Sequence, residues 1–505
     1  MSAPVPGILL VLDGWGHAEP SEANALAAAD TPYLDRLLTE CPAILASASG
    51  TAVGLLPGTV GNSEIGHMVI GAGRPLLYDS VLVQEQIDSG QLRSNPQLTE
   101  VCSRLAATGK ALHLIGLCSD GMIHASVHHL PELLRVAAES KVAEVFIHAI
   151  TDGRDVSDHT AAAYLGLVGK YASEAGVGRI ATVTGRGYAL DKSGNLQLTE
   201  QAADAITNGT GEAISEPQDA LELTTRGDEW VPACVITTGE DLPVGPVRDG
   251  DAVLFTNFRS DRIQQLADLL HSRLAARAVT LLSLAQYDTR AAIPALVQRA
   301  DAGDGLAAQL AEHGIRSVRI AEAEKFEHVT YYLNGRDATA QPTEEHLKVT
   351  GDEPADYQTR PAMNLAKVTE AVRTAAARPD VPLVIANLAN IDVVGHTGHF
   401  EATKQAAEHT DRAVKNICDA ARAAGRWVLL VGDHGNAEKM RTDTDGQTRP
   451  YGGHTTNPVP AVLVPAESQS VHRPTGTATL ADIAPSVLSL LALPPTKVMI
   501  GRPLW

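Results

Sequence analysis

Aromatic side chains are scarce in this 505-residue chain, which has five Phe, four Trp and ten Tyr. Its cores must therefore be built mainly from Leu, Val, Ile and Ala. Cysteine is nearly as rare. Cys41, Cys102, Cys118, Cys234 and Cys418 are dispersed, and none forms a Cys-x-x-Cys pair. An odd, scattered set fits reduced thiols better than a disulfide framework. Positive charge is in deficit, with 40 Lys and Arg against 60 Asp and Glu, a net −20. That balance argues against general nucleic-acid affinity, and an anionic substrate would need a local cluster of Arg and Lys working against the global field. Long apolar runs are missing too: none approaches the roughly 20 residues that span a bilayer. The opening MSAPVPGILLVLDGWG lacks a basic n-region and a small-residue cleavage site. The expectation is a soluble, cytoplasmic protein. Its length predicts two or three domains, with no internal repeat and no low-complexity linker.

Among what is present, Gly61-Asn62-Ser63-Glu64-Ile65-Gly66-His67 stands out. Glycines on both sides of Ser63 allow a tight turn and close approach of a ligand. Ser-Glu leading into Ile65, Met68, Val69 and Ile70 reads as a loop opening into a helix, whose N-terminus suits a phosphate. A serine hydroxyl is a poor nucleophile unless a base or metal activates it; without such a partner, Ser63 would be a helix cap.

The apolar run 7–12 ends in Asp13-Gly14-Trp15-Gly16 and predicts a buried parallel strand with an acid just beyond its carboxyl end. Ligands of open α/β sheets collect at such ends. A helix over about 24–38 and a strand over 43–48 follow. From about residue 75, strand-like runs at 111–117, 142–150, 179–184, 252–255 and 279–284 predict a second α/β unit. Its loops carry His124, then Arg154 and Asp155, then Arg186, then Arg259 and Arg262. Four arginines, each just past a predicted strand, point to an anion site. The chain returns to the first domain over 288–305. There 317–320 reads as a strand, 325–332 as a loop feeding another, 382–386, 427–431 and 460–464 as strands, and 401–424 and 480–491 as helices.

Asp392 and His396 are four apart, so one helical turn would aim both at one point. Asp433 and His434 end a predicted strand, His454 lies in a Gly-rich loop, and Asp13 ends the first strand. Three carboxylates and three imidazoles without a thiolate suit Mn²⁺ or Zn²⁺ better than an all-oxygen Mg²⁺ or Ca²⁺ site. Six donors exceed the needs of one tetrahedral ion. A pair of metals is a recurrent answer to phosphoryl transfer and would supply the activator that Ser63 needs.

The motifs GNSEIGH, TDGRDV, NFRSDR, DVVGHTG and GDHGNAE, with LDGWG at 12–16 and HTTNPVP at 454–460, stand together in one order. As a set, over nearly the full length, the chain resembles the cofactor-independent phosphoglycerate mutases of the alkaline phosphatase superfamily. The resemblance implies an α/β protein of two domains. An alkaline-phosphatase-like sandwich over 1–76 and 300–505 would be interrupted by a transferase domain, 77–299, that closes over the substrate. It implies that Ser63 becomes phosphoserine, with one Mn²⁺ on Asp392, His396 and His454 and a second on Asp13, Ser63, Asp433 and His434. His124, Arg154, Asp155, Arg186, Lys192, Arg259, Arg262 and Lys325 match substrate-binding positions. Asp155 would handle hydroxyl protons and Lys325 would neutralise charge during transfer. The expected enzyme is a monomer of glycolysis and gluconeogenesis that converts 3-phosphoglycerate to 2-phosphoglycerate without bisphosphoglycerate.

One stretch departs from the pattern. Where the family usually reads Tyr-Tyr-Ala-Met-Asp-Arg and then an Arg-Trp pair, this chain has Gly187-Tyr188-Ala189-Leu190-Asp191-Lys192-Ser193-Gly194. Lys192 keeps the charge of the expected Arg but loses its bidentate fork. The alternatives are a same-mechanism mutase acting on a related phosphorylated or phosphonate three-carbon acid, a metal-dependent phosphatase or phosphodiesterase, and a non-catalytic binding protein. The last would show degenerate metal ligands, and none of the six is missing.

Overall fold

Gly7–Leu12 offers an apolar side chain to neither water nor a polar partner, so it must be covered on both faces, as a central strand of a parallel sheet is. It forms such a strand, buried at every position. The structure is a computed structural model that describes residues 5–191, 194–240, 242–299, 302–351, 356–444 and 447–505. The chain divides into two compact units, Met1–Leu77 with Ala300–Trp505, and the continuous stretch Tyr78–Arg299. Both are α/β. Among the described residues, no helix is long and apolar enough to cross a membrane.

In the discontinuous unit the strands run in the order Glu344–Val349, Ser317–Glu322, Leu383–Leu388, Gly7–Leu12, Trp427–Gly432, Val459–Val464, Ala43–Ser47, Ala478–Thr479. The first five are mutually parallel, and Val459–Val464 is antiparallel to both its neighbours. Helix Phe400–Ala423 contributes Ala413, Val414, Ile417, Cys418 and Ala421 to the same core cluster as Ile8, Leu10 and Leu12. Aliphatic side chains fill this core, as the scarcity of aromatics requires.

Two local expectations are corrected. The helix expected over 24–38 is two helices, Ala25–Ala28 and Pro32–Glu40. Pro32 cannot continue a helix from its N-terminal side and forces Thr31 out of the helical region. Residues 325–332 do not form a loop feeding a strand. Lys325 closes the 3₁₀ turn Ala323–Lys325, and His328–Tyr332 is a π-helical turn closed by the Leu333 N–H on the His328 carbonyl at 3.1 Å. The aromatic and β-branched composition of this segment favours a strand. The fold overrides it, and wide turns of this kind recur at functional sites.

The continuous unit has the order Ala295–Val297, Thr280–Ala285, Ala252–Phe255, Leu112–Leu117, Val145–Thr151, Arg179–Gly185, Cys234–Ile236, Glu212–Ile214. Pairing is parallel except between Arg179–Gly185 and Cys234–Ile236. A polar seam crosses its interior. Asp251 Oδ2 stands 3.2 Å from His113 Nε2, His113 Nδ1 3.0 Å from His148 Nε2, and His148 Nδ1 3.0 Å from Thr182 Oγ1. Burial, helped by His113, holds His148 well below the usual imidazole range. Burial also pushes His129 down to about 4. Both are neutral in the fold, whereas the unfolded chain takes up their protons below about pH 6.5. Unfolding therefore gains protons on acidification, and stability falls as pH drops from about 6.5 towards 4. The urea midpoint should decline over that window, and His129→Phe should flatten the slope by up to one proton's worth. An unchanged slope in the variant would contradict the assignment.

Candidate active site

Four neighbouring parallel strands of the discontinuous unit each deliver a group beyond their carboxyl ends. Asp13 follows Leu12, Asp433 follows Gly432, Asp392 lies in the first turn of the short helix Asn390–Gly395 that follows Leu388, and Lys325 ends the turn after Glu322. Leu12 is paired with both Leu388 and Gly432, so register sets Asp13 beside Asp433, and the helix Asn390–Gly395 brings Asp392 to them. Helix Ser63–Ala72 supplies Ser63 at its first position. Its cap is Asn62, which accepts the Ile65 N–H at 2.9 Å, so the serine hydroxyl is free of the capping role. Gly66 lets this helix approach closely, because a Cβ there would sit 2.6 Å from the Asp433 carbonyl oxygen.

Ser63 Oγ is surrounded by charge: Lys325 Nζ at 2.6 Å, His434 Nε2 at 2.9 Å and Asp13 Oδ1 at 3.1 Å. Lys325 Nζ also reaches Asp13 Oδ1 and Asp392 Oδ2, each at 2.7 Å. His396 Nε2 is 3.4 Å from Asp392 Oδ2 and 3.2 Å from His454 Nε2, which in turn is 3.4 Å from Asp392 Oδ1. Asp13, Asp433 and His434 form a second tight group, and Asp392, His434 and His454 another.

The electrostatics are those of carboxylates held ionised out of water. Burial alone would raise Asp13, but Lys325 and His434 outweigh it and hold the carboxyl below its usual range. Burial of Asp392 is overcome by Lys325, His396, His454 and His434. Burial would lower Lys325, and Asp13, Asp392 and Asp433 instead push it above the usual amine range. His434 is raised to about 9 because Asp433 and Asp13 overcome its burial. Asp392 Oδ1 and Asp433 Oδ2 accept no hydrogen bond although both are buried. Orphaned carboxylate oxygens facing imidazole nitrogens, without sulfur, are a donor set that fits divalent metal.

Two side chains given no role by sequence reasoning complete this cluster. Asn387, buried within a strand, donates through Nδ2 to Asp13 Oδ2 at 2.6 Å and to His67 Nε2 at 3.1 Å. His67 must then carry its proton on Nδ1, which donates to the Ser63 carbonyl at 2.8 Å. The i, i+4 spacing of Ser63 and His67 was the available signal.

In the continuous unit, loops at the carboxyl ends of four adjacent strands carry His124, Arg154 with Asp155, Arg186, and Arg259 with Arg262. Arg186 is buried, and its Nη1 bonds Asp152 Oδ1 at 2.5 Å and Asp155 Oδ1 at 2.7 Å. Its Nε and Nη2, and Asp155 Oδ2, are buried without a partner. Asp152, also passed over in the sequence, organises the loop by accepting Ser119 Oγ and the N–H groups of Arg154 and Asp155. Burial lowers His124 to about 4 despite Asp261 and Asp155. Arg259 Nε pairs with Asp261 at 2.5 Å. Arg262 has a left-handed backbone, φ +71°, and lies below the usual guanidinium range through burial and repulsion from Arg186 and Arg154. Lys192 falls outside the described residues. At Gly187, where the family pattern has Tyr, a Cβ would meet the Glu229 carbonyl oxygen at 2.8 Å and the Trp230 ring at 2.9 Å. Only glycine leaves room for that tryptophan.

A profile of the Metalloenzyme superfamily matches residues 5–495, the class that carboxylates and imidazoles gathered at strand ends define. A curated relative from Streptomyces coelicolor, a 2,3-bisphosphoglycerate-independent phosphoglycerate mutase, is 63% identical over 99% of this chain and 98% of its own length. One of the same name from a Synechococcus strain is 38% identical over 99% and 95%. The solved structure of Leishmania mexicana phosphoglycerate mutase superposes with a TM-score of 0.73 at 26% identity, covering 99% of this chain and 98% of that one. The chain belongs to the family of 2,3-bisphosphoglycerate-independent phosphoglycerate mutases.

Proposed function

We propose that this enzyme interconverts 3-phosphoglycerate and 2-phosphoglycerate by passing the phosphoryl group through Ser63. The observation that carries the reading is the placement of Ser63 Oγ at a helix N-terminus, within 2.6 Å of Lys325 Nζ and 3.1 Å of Asp13 Oδ1. Two Mn²⁺ are proposed, one held by Asp392, His396 and His454, the other by Asp13, Ser63, Asp433 and His434. Bound there, divalent metal would lower the pKa of the serine hydroxyl and screen phosphoryl oxygens.

The chain's own groups do the rest. Lys325 donates to Ser63 Oγ at 2.6 Å and stabilises it as an alkoxide once its proton has been released to bulk water. The N–H groups opening helix Ser63–Ala72 face the negative charge that gathers on the phosphoryl oxygens. Ser63 Oγ bonds to phosphorus as the bond to the C3 oxygen breaks, and that oxygen takes a proton. The glycerate then presents its C2 oxygen, which loses a proton and receives the phosphoryl group, regenerating Ser63. Asp155, with one oxygen unpartnered, is the proposed proton carrier for both substrate hydroxyls. The free Nε and Nη2 edge of Arg186, with His124, Arg154, Lys192, Arg259 and Arg262, holds carboxylate and phosphate. In this reading the discontinuous unit is the catalytic phosphatase-like domain, and the inserted unit binds substrate. The enzyme acts as a cytoplasmic monomer in glycolysis and gluconeogenesis.

Phosphorus NMR of the protein with Mn²⁺ and 3-phosphoglycerate, without bisphosphoglycerate, tests this. Appearance of 2-phosphoglycerate without inorganic phosphate is expected. Inorganic phosphate alone would replace the mutase with a phosphatase. No turnover by metal-loaded protein would move the assignment to another phosphorylated or phosphonate three-carbon acid.

A further inference from the structure

Glu438 is a buried carboxylate beside the proposed metal site that donates no ligand to it. It is 2% exposed. Its Oε2 accepts the Asn436 N–H at 2.8 Å, in the loop that carries Asp433 and His434. Its Oε1 accepts the Thr455 hydroxyl and Asn457 Nδ2, the latter at 3.0 Å, in the loop that carries His454. A backbone bridge lies alongside, with the Thr455 N–H on the Gly435 carbonyl at 3.0 Å. The same carboxylate packs on Gly16, where a Cβ would collide with it, and so against the loop that begins at Asp13. Three loops bearing proposed metal donors therefore meet at one side chain. Both its oxygens are spent on hydrogen bonds, and it stands in neither of the metal-competent groups formed by Asp13, Asp392, Asp433, His434 and His454.

We propose that Glu438 is a positioning residue that fixes the His454 loop to the Asp433–His434 loop and so sets metal affinity. A carboxylate can take all three donors. An amide keeps one acceptor oxygen, so with that oxygen on the Asn436 N–H, its NH₂ forces the Thr455 hydroxyl and the Asn457 amide to turn round and accept, which breaks the present arrangement of the His454 loop. Partners that orient metal ligands typically affect affinity by about 10- to 100-fold. The inference rests on the metal-site reading above.

The test is Mn²⁺ titration of metal-free full-length protein by calorimetry and electron paramagnetic resonance, with thermal unfolding of the metal-free forms beside it. Glu438→Gln and Thr455→Val should each weaken Mn²⁺ binding at least tenfold. Thr455→Ser, which keeps the donor, should bind as the wild type does. The double variant Glu438→Gln/Thr455→Val should be no weaker than Glu438→Gln alone within a factor of about three, since the Thr455–Glu438 contact is disrupted by each substitution. A purely structural role would lower the unfolding temperature of the metal-free protein and leave Mn²⁺ affinity within twofold of wild type. That result would overturn the proposal. Should Glu438→Gln fail to fold, Thr455→Val against Thr455→Ser decides it alone. Wild-type protein that takes up no Mn²⁺ would overturn the metal-site reading and this inference with it; bound metal with unaffected variants would overturn this inference only.

Discussion

Ser63→Ala is expected to lower turnover by roughly 10⁴-fold or more, the scale on which removing a covalent nucleophile acts. Folding should barely register the change. The helix cap belongs to Asn62, alanine is at ease at a first helical position, and Lys325 keeps both carboxylates when the hydroxyl goes. The melting temperature should therefore stay within the shift that about 1 kcal/mol produces. Wild-type protein mixed with substrate and quenched should yield a phosphorylated peptide containing Ser63, and the variant should yield none. Mutase activity near wild type in the variant would end the phosphoserine reading. So would a phosphoryl adduct on some other residue.

Removal of metal should have an effect of similar size. Chelation is expected to take activity to background, and stoichiometric Mn²⁺ to restore it. Asp13 and Asp392 share Lys325 as their ammonium partner, with Asp433 also close enough to act on it, so the metal-free centre keeps like charges close together in a low-dielectric setting. Metal at 100 times its dissociation constant adds about 2.7 kcal/mol of stability by mass action, readable as a rise in melting temperature with Mn²⁺ concentration. Asp392→Asn removes a charge that faces Lys325, His396 and His454 together, and should shrink that rise, leaving the part due to the Asp13–Asp433–His434 group, and abolish turnover. Full activity after exhaustive chelation would show that the carboxylate–imidazole cluster serves another purpose.

How far the sequence could be read depended on the kind of signal each residue gives. Strands such as Gly7–Leu12 and Trp427–Gly432 were legible because a run of apolar residues needs cover on both faces. An acid directly after such a run has few places to go except the carboxyl edge of the sheet, which is why Asp13 and Asp433 stood out. Asn387, His67 and Asp152 did not. A polar residue inside an apolar strand or on a buried helix face looks, in sequence, like any satisfied core group, and Asn387 meets Asp13 and His67 only across hundreds of residues; Asp152 looks like a loop cap until Ser119 and Arg186 are brought beside it. The sequence read His328–Tyr332 as the approach to a strand for a related reason. Local preference speaks for extension there, and only the close approach of helix Ser63–Ala72 and the Lys325 turn decides otherwise.

The position of Gly7–Leu12 at the middle of its sheet also bears on how the protein is made. Its neighbours begin at Leu383 and Trp427, so during synthesis on the ribosome this apolar strand emerges long before anything can pair with it. The intervening unit, Tyr78–Arg299, is continuous in sequence and has all its partners available first. Chains stalled or truncated before about residue 432 would thus hold a finished inserted unit beside an unfinished sheet with an exposed, aggregation-prone strand. The Asp13 and Asp433 carboxylates of the candidate metal centre can come together only after Asp433 itself has been made.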